Sequence, residues 1–365
     1  MHAERFSTFA MPVRRNLPVG GAGRAAASCA AIAAIVTLPA HAQTSIGAQD
    51  AVHPGGVQAV HILQLWNGTL ALCLAVFVAV LGACLVAVWR APRGTGATCP
   101  DVDATGARDR RLLRAVGWSA ALSAAGLVSL LAGNILSGRA LGQLPVQDAL
   151  RIELRGHNWW WEAQYHDPVS GQRFATANEL HLPVGRAVIV TMRSDDVIHS
   201  LWVPNLHGKL DLIPGRTTEI RVRADHAGLY RGQCAEFCGV QHTMMALLVV
   251  ADPPAGYAGW AARQVLPAAL PPGGSAARQG RQVFLNQCAQ CHAIRGAQAG
   301  ARIGPDLTHV AGRRTIAAGM LPNQRGHLAG WIVDAPSIKP GVQMPAIQLV
   351  PDDLQALLAY METLQ

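Results

Sequence analysis

Cys234-Ala-Glu236-Phe-Cys238-Gly-Val-Gln-His242-Thr-Met-Met245 gathers two thiols, an imidazole and two adjacent thioethers, Met245 the candidate, into one short stretch. Soft sulfur donors combined with imidazole nitrogen select copper or zinc over hard cations. Two thiolates can bridge a pair of copper ions, with a histidine closing each metal and the thioether adding a weak axial bond. Such a cage needs a second histidine from elsewhere in the chain. His199, in Asp195-Asp-Val-Ile-His-Ser-Leu-Trp-Val-Pro204, is the candidate. Two simpler readings stay open at this level: a Cys234–Cys238 disulfide and a zinc site. The disulfide has no use for the histidines, and zinc has no use for the methionine.

Around this stretch, residues 145–252 read as a β domain. Short β-branched runs such as Val188-Ile-Val-Thr, Glu219-Ile-Arg-Val and Leu247-Leu-Val-Val alternate with turns at Pro183-Val-Gly, Pro214-Gly and Ala227-Gly. That rhythm suits a sandwich, which would hold metal ligands on loops at one end of a rigid scaffold.

Half of the chain is hydrophobic and 14% is charged, which points to membrane segments. Residues 1–42 read as a secretory signal. Arg14, Arg15 and Arg24 form its basic region, Ala25 to Leu38 its apolar core, and Ala40-His-Ala42 its cleavage site. From Ala51 to Trp89 there is no Asp, Glu, Lys or Arg. Within residues 43–144, spans are expected at about 63–89 and 115–136, each long enough to cross a bilayer. The loop between them carries Arg90, Arg93, Arg108, Arg110, Arg111 and Arg114, so it is expected on the cytoplasmic side. The chain is then a membrane hairpin in the bacterial inner membrane with its large C-terminal part in the periplasm. The formal charge of +8 is concentrated in the signal and this loop, so no nucleic-acid partner is implied. Cys29 falls in the signal and Cys99 in the loop, while Cys73 and Cys84 suit small apolar positions on one helix.

Residues 253–274 carry five prolines and a glycine pair and read as a linker. Residues 275–365 follow, with Cys288-Ala-Gln-Cys291-His292. This C-x-x-C-H pattern attaches a c-type haem: each thiol forms a thioether to a vinyl group, and the adjacent imidazole ligates the iron. Met344, in Gly-Val-Gln-Met-Pro-Ala, is the candidate for the other axial position, with Met320, His309 and His327 as competitors. Thioether ligation raises the potential relative to two imidazoles.

The pattern C-x-E-x-C-x3-H-x2-M, with its upstream D-V-x-H-S, resembles the binuclear copper A site of cytochrome c oxidase subunit II. The resemblance implies a cupredoxin-like Greek key with His199, Cys234, Cys238, His242 and Met245 as ligands, and the Glu236 carbonyl as the sixth. It also implies that the Glu236 carboxylate reaches a magnesium or manganese ion at the interface with subunit I. Gly156-His-Asn-Trp159-Trp-Trp-Glu162 resembles the family's aromatic segment and makes Trp159 the electron-input candidate. Lys209-Leu-Asp211-Leu-Ile-Pro-Gly-Arg216 resembles its docking segment on subunit I, although Asp211 and Arg216 equally suit a solvated surface pair. The C-terminal part resembles an all-α class I cytochrome c, through Gly280, Phe284, Gly304-Pro-Asp-Leu307, Tyr360 and the helical spacing of Leu354, Leu357, Leu358 and Met361. One departure concerns the second span. Aligned on Trp118, Ala115 stands where many family members carry a glutamate, which puts a role in proton uptake in doubt.

The expectation is therefore a multi-domain membrane protein: a two-helix hairpin, a cupredoxin-like β-sandwich and a cytochrome c. As the resemblance has it, the chain is subunit II of a caa3-type oxidase (an oxidoreductase and translocase, EC 7.1.1.9). It would pass electrons from a soluble cytochrome c or a quinol-oxidising complex through haem c and copper A to haem a in subunit I. Oxygen reduction would occur there, with subunit III alongside. Two alternatives stay open: the copper A subunit of a nitric oxide reductase, and a membrane-anchored electron carrier without a catalytic partner.

Overall fold

The computed structural model describes residues 49–91 and 107–365. The expected signal segment, with Cys29, and most of the arginine-rich loop, with Cys99, lie outside the described residues. Two long helices come first, α1 (Val57–Arg90) and α2 (Ala107–Gly142). Each is long and apolar enough to cross a membrane. Their large side chains point outward, as Phe77, Leu85, Leu122 and Leu127 do, which in water would be an aggregation hazard but suits lipid. Both helices run past the expected spans. The foot of α1 is tied to the β domain: Gly55 N–H donates to Asn205 O at 2.7 Å, and Arg223 N–H to Gln58 Oε1 at 3.3 Å.

Ten strands follow: β1 (Leu150–His157), β2 (Trp160–His166), β3 (Arg173–Ala177), β4 (Glu179–Pro183), β5 (Val188–Ser194), β6 (His199–Trp202), β7 (Leu210–Leu212), β8 (Thr218–Val222), β9 (Gly228–Cys234) and β10 (Ala246–Asp252). They form two five-stranded sheets ordered β3-β2-β1-β5-β8 and β4-β10-β9-β6-β7. The β1–β5 and β4–β10 pairs are parallel, and the other pairs are antiparallel. Period-two burial drives the assembly. Leu150, Ile152 and Leu154 of β1 and Trp161, Ala163 and Tyr165 of β2 enter one core with Val190, Met192, Leu212, Leu247 and Val249. Strand β10 is buried on both faces from Ala246 to Ala251; at its start the second face is covered by the C-terminal domain.

The expected linker begins instead as a helix, α3 (Pro254–Val265). Proline suits the first helical turn, where no N–H is needed. Tyr257, Trp260 and Ala261 then recur at helical spacing and pack on the sandwich. Trp260 stacks on His181 with ring centroids 4.0 Å apart. Composition alone suggested a linker because proline counts do not reveal which face is apolar.

The C-terminal domain holds α4 (Ala276–Gln287), α5 (Arg325–Ile338) and α6 (Pro351–Met361). Ser275 caps α4 by accepting from Arg278 N–H. Asp352 and Asp353 sit in the first turn of α6, where negative charge opposes the helix dipole favourably. Helix α4 crosses α6 at Gly280, where any side chain would collide with the Ala356 carbonyl. Phe284, Leu357, Leu358, Tyr360 and Met361 form the core beneath. Helix α5 is broken at Asp334, just ahead of Pro336. The domain rests on the outer face of the sandwich: Ala246 N–H donates to Ala318 O at 3.0 Å, and Arg314 N–H to Glu179 Oε2 at 2.9 Å.

Candidate metal centre and haem cavity

The β6–β9 ladder brings the distant histidine to the thiols. Leu201 pairs with Cys234, so His199 at the start of β6 lies beside Cys234 at the end of β9. The chain then leaves the sheet for a loop, passes a single 3-10 turn at His242–Met244, and re-enters as β10 directly after Met245. The two ladder ends thus act as jaws, and the loop between them carries the remaining donors.

Cys234 Sγ lies 3.7 Å from Cys238 Sγ, too far for a disulfide bond of about 2.05 Å, and both cysteines are free and buried. His199 Nδ1 stands 3.8 Å from Cys234 Sγ, and His242 Nδ1 stands 3.8 Å from Cys238 Sγ. Met245 Sδ is 3.9 Å from Cys238 Sγ, and the Glu236 carbonyl is 3.2 Å from Cys234 Sγ. The donors therefore run His199, Cys234, Cys238, His242, with sulfurs in the middle and an imidazole at each end. This order suits two metals sharing two thiolates, each with its own histidine, better than one tetrahedral ion with all four donors around it. All six expected donors are brought together.

The surroundings orient them. Asp196 Oδ1 lies 2.7 Å from His199 Nε2, which leaves Nδ1 to face the sulfur, as carboxylate-supported metal histidines do. Burial works against a charged His199, yet hydrogen bonds with Cys234 and Asp196 outweigh it and raise its pKa. The hydrogen bond between the cysteines divides their titration: Cys234 is lowered by it, and Cys238 is raised by it and by burial. Glu236 and Phe237 are exposed at the loop tip.

The second feature is a cavity of about 430 Å³ lined by Cys288, Cys291, His292 and Met344. Cys288 caps α4, and His292 N–H closes the following turn onto Cys288 O at 3.0 Å. Burial pushes the Cys288 thiol up to about 11 and lowers His292, favouring the neutral imidazole. His292 Nδ1 is 2.8 Å from Pro305 O, so Nε2 is the nitrogen left for iron. A Cβ at Gly304 would stand 2.6 Å from His292 Cε1; only glycine lets the loop approach the ring. Of the four candidates for the opposite ligand, Met344 alone lines the cavity. His309 meets Leu266 O and Gln365 O with its two ring nitrogens, His327 Nδ1 meets Pro322 O at 3.0 Å, and Met320 lies beside Arg231.

The two sites adjoin. Asn158, Trp159 and Trp160 of the sandwich form part of the cavity wall, and Trp159 Nε1–H donates to Cys238 O at 2.8 Å. Three cavity residues escaped the sequence reading. Arg313 Nε, Thr315 Oγ1 and Asn158 Oδ1 are buried without hydrogen-bond partners. Unpartnered buried polar atoms are costly, and a guanidinium facing a cavity suits a carboxylate-bearing porphyrin. No periodicity marks these positions; only the cavity does. The donor sets and orphaned groups fit a haem here and a dinuclear soft metal above.

Residues 169–252 match the family Cytochrome C oxidase subunit II, periplasmic domain, and residues 277–365 match the family Cytochrome c. The Cytochrome c oxidase subunit 2 of Alkalihalophilus pseudofirmus is 37% identical over 216 residues, 59% of this chain and 61% of that protein. That of Bacillus subtilis is 30% identical over 232 residues, 60% of this chain and 63% of that protein. The chain thus spans roughly three fifths of the length of the curated relatives it matches. The crystal structure of the periplasmic domain of subunit II of cytochrome oxidase of Bradyrhizobium japonicum is 28% identical, with a TM-score of 0.30, covering 32% of this chain and 94% of that chain.

Proposed function

We propose that this chain, which joins a subunit II periplasmic domain to a cytochrome c domain behind two apolar helices, is the electron-input subunit of a haem-copper terminal oxidase. The carrying observation is the adjacency of the two sites: Trp159 lies in the haem cavity wall and is hydrogen-bonded to the carbonyl of Cys238. When bound, a c-type haem and a dinuclear copper A would supply two one-electron carriers in series.

Cys288, Cys291, His292 and Met344 would hold the haem, the two cysteines covalently. Cys234, Cys238, His199, His242, Met245 and the Glu236 carbonyl would hold the two coppers. The sandwich's task is rigidity, because ligands held by two paired strands and a short loop move little when the charge on the metals changes. The haem domain, tethered and docked, meets the copper loop without waiting for a collision. The exposed Glu236 and Phe237 lie at the loop tip, where subunit I, with its haem a, copper B and a shared magnesium or manganese, would receive the electron. Subunit III and an electron donor such as a soluble cytochrome c or a quinol-oxidising complex complete the assembly. The membrane would be the bacterial inner membrane, with both redox domains periplasmic.

The test is metal analysis with electron paramagnetic resonance on the detergent-purified full chain and whatever co-purifies. Two coppers and one iron per chain, a mixed-valence copper signal and a haem a partner are expected. A chain that emerges with neither copper nor covalent haem from a host competent for both insertions would defeat the reading.

A further inference from the structure

Gln241 and Lys339 face each other across the boundary between the domains, and each is buried although neither is an apolar residue. Gln241 lies between Cys238 and His242. Its Nε2 donates to Lys339 O at 2.8 Å and Pro340 O at 2.9 Å. Lys339 lies at the end of α5, on the segment leading to Met344, and is 2% exposed. Its Nζ donates to Met244 O at 2.9 Å and Ala317 O at 3.3 Å. Each side chain therefore grips the backbone of the opposite domain.

The expense of this arrangement argues that it has a task. The partners of the Lys339 ammonium are carbonyls rather than a carboxylate, and burying such a charge is costly. Burial lowers its pKa to about 8. Gln241 Oε1 is itself buried without a partner. A boundary needing only adhesion would be better served by apolar side chains. What directional hydrogen bonds add is register. Here they tie the turn carrying His242 and Met245 to the segment carrying Met344. The neighbouring Ala246 N–H to Ala318 O bond, at 3.0 Å, extends the same seam.

We propose that Gln241 and Lys339 form a reciprocal latch that holds the cytochrome domain in one register on the copper loop, and so act as positioning residues for electron passage between the two sites. The proposal rests on the assignment of those sites above. Loss of either half loosens the boundary: without Gln241 the 339–340 backbone is released, and without Lys339 the Met244 backbone is released, while the Ala246–Ala318 and Arg314–Glu179 bonds remain. Such loosening would let the haem cavity shift relative to Trp159 without disturbing either ligand set.

The test uses the full chain with Gln241→Leu, Lys339→Met and the isosteric Gln241→Glu, which sets a carboxylate against two carbonyls. Hydrogen exchange at the Ala246 amide reads the seam directly and needs no metal. Exchange there should quicken by at least about tenfold in each variant, the scale of losing buried hydrogen bonds. In the loaded protein, the Gln241 variants should keep the wild-type rate of haem reduction by an external donor, while transfer onward to copper after flash reduction slows by a comparable factor. A merely structural role would not split these two rates. Exchange and onward transfer both unchanged in all three variants would overturn the latch. Failure of the site assignments would show separately, as wild-type chain without copper or haem, and the exchange measurement would still read the seam.

Discussion

Trp159 Nε1–H donates to the carbonyl oxygen of Cys238 at 2.8 Å, which places one indole between the cavity lined by Cys288 and His292 and the backbone of the copper-ligand candidate Cys238. The ring also packs against the sandwich core. Trp159→Phe keeps an aromatic in the wall and removes the donor. The stability cost should be about 1 kcal/mol, as for one hydrogen bond, measured by chemical denaturation. Transfer from haem to copper should slow by about tenfold or more, equivalent to roughly 1.4 kcal/mol of barrier, in flash-reduction experiments. An unchanged rate would remove the indole from the route.

Asp196 supports His199 from behind, with Oδ1 2.7 Å from Nε2. It also accepts from the Asn158 N–H at 2.6 Å, so one carboxylate orients both His199 and the start of the tryptophan segment. Asp196→Asn preserves the shape but removes the charge. Copper affinity should fall by about tenfold, the lower end of the range for such supporting partners. Chelator competition on the full chain checks this, and wild-type affinity would refute it.

Of the candidate ligands Met344, Met320, His309 and His327, Met344 lines the cavity; Met361 also reaches its wall from the core of α6. In Met344→Ala, covalent haem should persist, because Cys288, Cys291 and His292 are untouched. The sulfur-to-iron charge-transfer band should vanish and the haem potential should fall. Persistence of the band would reassign the ligand to Met361, the other methionine of the cavity wall.

His181 sits between two carboxylates, with Nδ1 2.6 Å from Asp252 Oδ2 and Nε2 2.9 Å from Glu179 Oε1. A neutral imidazole has one N–H and cannot donate to both. Burial opposes the charged ring, but the two carboxylates outweigh it, so the folded-state pKa is raised above 6.5. A raised histidine pKa contributes stability that is complete below the unfolded value, about 6.5, and is lost as pH climbs through the folded value. The thermal midpoint should accordingly decline as pH rises above about 6.5. In His181→Gln that decline should flatten. Asp252→Asn should cost about 3 kcal/mol at acidic to neutral pH, as expected when one partner of a buried charge cluster is removed. A pH profile identical to wild type in His181→Gln would contradict the charged ring.

Glu179 carries this cluster into the domain boundary, since its Oε2 accepts from Arg314 N–H. Nothing in the sequence marks Glu179 or His181, which in a strand pattern look like ordinary alternating polar positions. Their partner Asp252 is remote in the chain, and the parallel β4–β10 pairing that aligns them is set by burial of the whole sheet. The helix from Pro254 was hidden for a related reason: proline content resembled a linker, while the apolar face that makes Tyr257 and Trp260 pack is visible only once the sandwich is there to receive it.

What the sequence by itself determined is the chemistry held within a few consecutive residues. Cys288, Cys291 and His292 can meet one porphyrin because they share a turn, and Cys234, Cys238, His242 and Met245 can meet soft metals because they share a loop. The lipid-length apolar runs are similarly local, since length and composition suffice to read them. Tertiary structure alone decided everything that depends on two distant segments meeting: His199 brought to Cys234 by the β6–β9 register, Trp159 set between the sites, Arg313 turned toward the cavity, and Gln241 and Lys339 clasped across the boundary. Ligand type and spacing are properties of covalent connectivity, whereas these juxtapositions follow from which apolar faces find one another when two sheets and three helices bury their cores.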